Sequence, residues 1–208
     1  MKTSSGEILI HPSFSVGELA DNLLNNKLNS RAKINSSFRE LISEIYGKFL
    51  EDYKIEEREY ESVKLSKSTL NEIKEKIKCS YNCDFGKFLH ELFGYENGTH
   101  IYERRYLYKD KIYVIRGAPD RVHRNGNGKI TVEEFKTSLR ESGRDYQLLR
   151  GVFQLGIYGY LCKTENGILV LLDVSNGILE IFDYFYPFTS QEKLLRDAID
   201  TSIKNSNK

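Results

Sequence analysis

The sequence predicts an α/β domain: a central mixed β-sheet flanked by helices, with a helical N-terminal region. Three observations predict it. The first eighty residues place apolar side chains at helical spacing. From His100 onward, β-branched and aromatic runs bounded by turn residues read as strands. The long apolar segment Arg144 to Cys162 falls between two groups of strands. Strands alternating with helices are the α/β pattern.

The elements follow in order. Ser15 to Leu28 is a helix with Val16, Leu19, Ala20, Leu23 and Leu24 on one face. Ser13 or Ser15 caps it, and Glu18 stands three residues after Ser15, a capping-box spacing. Ser36 to Tyr53 repeats the pattern with Leu41, Ile42, Ile45, Phe49 and Leu50. Lys54 to Lys64 is charged, and reads as a solvated connector or a short strand. Ser66 to Lys78 is a third helix, on Leu70, Ile73 and Ile77. Asn82 to Tyr95 is a fourth, with Phe85, Phe88, Leu89, Leu92 and Phe93 in one stripe. His100 to Tyr108 and Lys111 to His123 are strands joined near Lys109-Asp110. Asn125-Gly126-Asn127-Gly128 is a hairpin turn, and Lys129 to Thr137 is the return strand. Arg144 to Cys162 is helical despite Gly151, Gly156 and Gly159. Ile168 to Val174 and Ile178 to Tyr186 form a hairpin around Asn176-Gly177, and Ser190 to Ile203 closes the chain as a helix.

A chain of 208 residues is one domain of ordinary size. We expect residues 1–80 to form a helical cap or arch packed on a core of residues 81–208. Lys and Arg number 31 against 30 Asp and Glu, which excludes a histone-like protein but not a local basic groove. With 39% hydrophobic and 29% charged residues the chain is globular, not disordered. The longest apolar run, Ile168 to Leu172, ends at Asp173, far short of a membrane span. Met1 to Gly6 leads into no apolar run, so no signal peptide is expected. Three cysteines are read as reduced thiols of an intracellular, cytoplasmic protein. The abundance of Lys, Asn, Ile and Tyr suits an AT-rich genome such as that of a virus or plasmid.

The informative stretch is Gly117-Ala118-Pro119-Asp120 followed by Glu134-Phe135-Lys136. A hairpin centred near Asn127 sets Asp120 opposite Glu134, where directly opposed β-carbons lie about 4.5–5.5 Å apart. Glu134 and Lys136 share a strand face. Opposed like charges are unfavourable unless neutralised, and a hard divalent cation such as Mg²⁺ neutralises two carboxylates while keeping several waters. One or two such ions would activate water and polarise a phosphate, with Lys136 balancing charge in the transition state. His90, one turn after Gly86 on the fourth helix, would supply an imidazole. Gln154 and Tyr158, with Gln147 and Arg150 nearby, make a polar stripe able to grip a phosphate backbone. Asn125, Asn127, Gly128 and Glu134 also fit positions of a calcium loop. His123 replaces its leading Asp, however, and both flanks read as strands where that loop requires helices.

Together these pieces resemble the PD-(D/E)XK nuclease superfamily in its RecB-like branch, which includes λ-type and CRISPR-associated nucleases. That branch carries Gly-x-x-x-His, Gly-x-x-Asp, Glu-x-Lys and Gln-x-x-x-Tyr in order. Here these are Gly86 and His90, Gly117 and Asp120, Glu134 and Lys136, Gln154 and Tyr158. The resemblance covers about the last 125 residues and implies a restriction-endonuclease-like core. It implies Mg²⁺ or Mn²⁺ held by His90, Asp120, Glu134 and the carbonyl of Phe135, with Lys136 as catalytic lysine. Gln154 and Tyr158 would position the DNA backbone or the carboxylates, and Glu103 is an additional acidic candidate. CRISPR-associated members often hold an iron–sulfur cluster on four cysteines. This chain has Cys79, Cys83 and Cys162, so no cluster is expected.

The expected function is a divalent-metal-dependent DNA nuclease preferring single strands over duplex, as exonuclease, endonuclease or both, in replication, recombination or repair. The alternative is an inactive nucleic-acid-binding protein on the same fold. No membrane partner is expected. A replication or repair protein and a second copy of the chain are both compatible partners. Tyr102, Tyr106, Tyr108 and Tyr113, interleaved with Arg104, Arg105 and Lys109, offer base stacking and phosphate contacts. A helical cap that admits a thread but not a duplex would add to single-strand preference.

Overall fold

The structure is a computed structural model that describes residues 10–31, 37–79, 82–95 and 100–206. The N-terminal Met1 to Gly6 and Ser36 lie outside the described residues. So do the side chains of Cys79 and Cys83.

Strand β1 (Ile10–Ser15) leads into α1 (Val16–Arg31), then α2 (Phe38–Asp52), β2 (Glu56–Lys64), α3 (Lys67–Cys79) and α4 (Asn82–Leu92). Four strands follow: β3 (Tyr102–Tyr108), β4 (Lys111–Gly117), β5 (Arg121–Arg124) and β6 (Ile130–Ser138). The chain ends with α5 (Glu141–Cys162), β7 (Asn166–Asp173), β8 (Ile178–Phe185) and α6 (Phe188–Ser206). Helices α1, α3 and α4 begin within one residue of where the sequence places them, whereas α2 begins two residues later than expected and α5 and α6 begin three and two residues earlier. The Ser15 Oγ accepts the Glu18 N–H at 3.1 Å, and Ser37 with Glu40 closes a capping box on α2. No helix among the described residues is long and apolar enough to cross a membrane.

Two sheets form among the described residues, where a single one was expected. The larger has the order β2-β8-β7-β6-β5 and is mixed: β6 and β7 are parallel, and the other pairs antiparallel. The smaller has the order β1-β4-β3. Helix α5 crosses over between the parallel strands β6 and β7 and covers one face of the larger sheet. Helices α3 and α4 serve the opposite face, where Ile73, Phe85, Leu89 and Tyr95 bury against Phe135 and Val170. The result is an α/β core with a mixed sheet covered by helices on both faces.

Strand β1 pairs with β4 and β2 with β8, and Leu19, Leu24, Ile42 and Phe49 are buried in the main core with Phe153 and Leu195. Within residues 54–64, which the sequence reads as a connector or a short strand, Glu56–Lys64 form the edge strand β2, exposed at all nine positions. The expected strand over 111–123 is two strands in two different sheets. Pro119, with no N–H to donate, sits in the break between them. Strand β3 alternates between half-buried and exposed positions, which turns Tyr102, Tyr106 and Tyr108 inward onto the core. Tyr113 is 2% exposed. These rings are spent on packing, so the base-stacking expectation fails.

Helix α5 is central because its glycines let neighbours close on it. A β-carbon at Gly156 would lie 2.5 Å from Leu194 and 2.7 Å from the Tyr186 ring. Gly156→Val is therefore expected to lower unfolding stability by about 1–3 kcal/mol or more through overpacking, read as a reduced urea midpoint.

Candidate active site

The site forms where β5 stops. Arg121 pairs with Glu133 and Val122 with Val132, a register that carries Asp120 to the level of Glu134. Asp120 itself lies just beyond the last pair. Its Oδ2 accepts the Phe135 N–H at 2.7 Å, filling the ladder position that β5 has vacated. A strand residue's N–H and C=O point the same way, so the Phe135 carbonyl also faces this gap. The Lys136 ammonium lies 3.5 Å from that carbonyl oxygen.

Alternation along β6 sends Glu134 and Lys136 to the α5 side and Phe135 to the α4 side. Lys136 donates to Glu134 Oε1 in a short hydrogen bond. The other carboxylate oxygen, Glu134 Oε2, is buried without a hydrogen-bond partner. Burial pushes the Glu134 carboxyl up to about 7; Lys136 pulls it down, and the nearby Asp120 charge raises it again. His90, on α4, places Nδ1 3.7 Å from Asp120 Oδ1 and sets its ring edge-on to Phe135.

The break before Asp120 is held from α5 and α1. Tyr158 donates to the Ala118 carbonyl at 3.1 Å. Gly117 is needed here, since a β-carbon would lie 2.5 Å from Val16 and 2.7 Å from the Tyr158 ring.

His90, Asp120, Phe135, Glu134 and Lys136 are thus brought together. Several expectations change. Gln154 and Tyr158 are 5% and 6% exposed, so neither grips a phosphate backbone from the surface. Tyr158 acts on the Asp120 segment, and the Gln154 Oε1 is buried without a partner. Arg150 is held by Asp21 at 2.5 and 3.1 Å, and Gln147 stands half-buried nearby. Glu103 is not brought to the site. Arg116 engages it at 2.6 Å on the smaller sheet, because those two residues are directly paired. No described neighbour closes on Gly86, for a β-carbon there meets nothing within 4 Å. Cys162 is buried, which pushes its thiol up to about 12.

Sequence reading missed two participants. Asp21 is 129 residues from Arg150 and gave no local signal. Glu133 is directly opposite Arg121 in the hairpin register, and that pairing of opposite charges was a usable signal.

The donor set fits a cation that takes few protein ligands. Among the described residues no three His, Cys, Asp or Glu side chains gather to cage an ion. What is present is Asp120, the Phe135 carbonyl, and Glu134 with an unpaired oxygen: hard oxygen donors, suited to an ion such as Mg²⁺ that retains water. The antiparallel pairing of β5 with β6 also leaves no helices to flank a calcium loop. Beside Lys136, at Thr137, a groove of about 820 Å³ opens, lined by Phe85, Leu89, Leu139, Arg140, Gln147 and Arg150 among others.

No family model matches the chain. A stretch of 62 residues is 44% identical to the CRISPR-associated exonuclease Cas4 of Saccharolobus solfataricus, spanning 30% of this chain and 30% of that protein. The structure solved as SSO0001 is similar over 89% of this chain and 85% of its own, at 23% identity and a TM-score of 0.48. Scheffersomyces stipitis Rai1, solved with (3'-NADP)+ and calcium ion, is similar over 92% of this chain and 52% of its own, at 10% identity and a TM-score of 0.34.

Proposed function

We propose that this protein is a divalent-metal-dependent deoxyribonuclease of the PD-(D/E)XK superfamily, hydrolysing phosphodiester bonds with a preference for single strands, in replication, recombination or repair. One observation carries the reading. Asp120, the Phe135 carbonyl and the Glu134–Lys136 pair converge where β5 ends, with one buried Glu134 oxygen left unpaired. The partial identity to an exonuclease supports it.

Asp120, Glu134 and the Phe135 carbonyl would hold Mg²⁺ or Mn²⁺, with His90 beside Asp120. The bound ion supplies Lewis-acid polarisation of the phosphate and a water of lowered pKa. The chain's own groups do the rest. The Lys136 ammonium, fixed by Glu134, orients the attacking water and offsets charge building on the phosphate oxygens. Tyr158 and Gly117 fix the segment that carries Asp120. The groove beside Lys136 offers Arg140 to phosphates and apolar Phe85, Leu89 and Leu139 to bases, the chemistry that a single strand presents.

The test is a gel assay on end-labelled linear single strands, closed single-stranded circles and duplex, each with Mg²⁺, Mn²⁺ or EDTA. Cutting is expected with metal, is abolished by EDTA and by Asp120→Ala, and is weakened by His90→Ala. Cleavage of the circle would separate endonuclease from exonuclease. An Asp120→Ala protein that cuts like wild type would overturn the site. A folded wild type that binds DNA and cuts nothing would leave the inactive-binder reading.

A further inference from the structure

We infer that Glu133 is a positioning residue for this site, tying α4 and β5 to β6 and so setting where His90 and Asp120 stand relative to Glu134. The inference rests on the metal-site reading above.

Glu133 precedes Glu134 and, by strand alternation, projects from the opposite face of β6. It is 6% exposed, an unusual place for a carboxylate without partners. It has three. Its Oε1 receives Arg121 at 3.3 Å, and its Oε2 lies 2.6 Å from His123 Nε2. The third is the Tyr95 hydroxyl, whose pKa is raised by burial and then by its hydrogen bond to Glu133.

Each partner leads to a residue of the site. Arg121 follows Asp120 directly. Its guanidinium also donates to the Gly94 carbonyl at 2.5 Å and lies 4.4 Å from the Tyr95 ring centre. Gly94, at φ +73, turns the chain out of the helix so that its carbonyl meets Arg121. Tyr95 donates its N–H to the His90 carbonyl at 2.7 Å, and its ring packs on Phe135 at 4.8 Å and on His90 at 5.7 Å. His123 belongs to β5, only four residues long. Asp120 lies past the end of that short strand, so its place depends on how Arg121 is tethered. Removing the Glu133 charge frees one end of Arg121 and loosens β5 and the α4 terminus together.

The test separates positioning from mere support of the fold. Mn²⁺ alone is titrated into the metal-free full chain, followed by the electron paramagnetic resonance of free Mn²⁺, beside a thermal melt of each protein. Glu133→Gln is expected to weaken Mn²⁺ binding about tenfold or more, the usual cost of losing a group that orients metal ligands. The His123 side chain is 42% exposed, so His123→Ala is the second variant if Glu133→Gln does not fold, with a weakening in the same direction. In cleavage assays the half-saturating Mn²⁺ concentration should rise more than the rate at saturating Mn²⁺ falls. A lowered melting temperature with wild-type Mn²⁺ affinity would overturn the inference and leave Glu133 a structural residue. A wild type that neither binds Mn²⁺ nor cuts would instead overturn the metal-site reading, before any variant is compared.

Discussion

Lys136→Ala is expected to cut phosphodiester hydrolysis by about 10²–10⁴-fold, with the circular dichroism spectrum retained. Lys136 is 8% exposed and its ammonium is bonded to Glu134, so its position is fixed before any substrate arrives. A preorganised cation costs no reorganisation at the moment of reaction, which is why its removal is expensive. The variant also leaves Glu134 buried without its ion-pair partner. Breaking a buried pair by deleting one partner costs about 3–5 kcal/mol unless the survivor neutralises itself. Glu134 already has a raised pKa and would answer by holding its proton to higher pH. The variant should therefore fold while losing both the ammonium and the anionic carboxylate at neutral pH. The measurement is single-turnover cleavage of a labelled single strand at saturating Mg²⁺. A rate within about tenfold of wild type, against the losses expected for a removed catalytic group, would take Lys136 out of the chemistry.

Much of this arrangement was legible because its determinants are local. Asn-Gly-Asn-Gly between β5 and β6 fixes the hairpin register, and the register carries Asp120 to the level of Glu134. Helical spacing in Leu19, Leu23 and Leu24, or in Phe85 and Leu89, located α1 and α4 because those faces are buried. The parts that were not legible depend on distant residues. Strand β2 shows no alternation, since every position is exposed at a sheet edge. Strand β1 exists because β4 offers it a parallel partner about a hundred residues later, and Pro12 hides it from strand propensity. Pro119 was visible, but nothing local says that the chain leaves one sheet there and enters another. Even so, that transfer makes the site. A continuous strand through 118–120 would use the Phe135 N–H and carbonyl in its ladder and leave nothing facing the gap.

Glu134→Gln is expected to do the opposite to stability of what it does to activity. In EDTA at pH 8 it should raise the melting temperature while abolishing cleavage. The sign follows from where the proton sits. The Glu134 carboxyl is pushed up to about 7 in the folded chain, against 4.5 ordinarily. Below about pH 4.5 it is protonated folded or unfolded and burial carries no charge penalty. As the pH rises from about 4.5 to about 7 the unfolded chain ionises freely while the folded chain holds its proton, so stability is lost across that window and the loss is complete above it. The gap corresponds to about 3 kcal/mol. For a chain of this size that is about 6–12 °C in melting temperature. Glutamine removes the ionisation and keeps an acceptor oxygen for the Lys136 ammonium. The stabilisation should therefore be large at pH 8 and vanish near pH 4.5. Melts of both proteins in EDTA across pH 4.5–8 check it, and a pH-independent difference would mean that Glu134 is not held against ionisation. Saturating Mn²⁺ should shrink the gap from the other side, since a cation at the unpaired Glu134 oxygen stabilises the wild type and has little to gain from an amide.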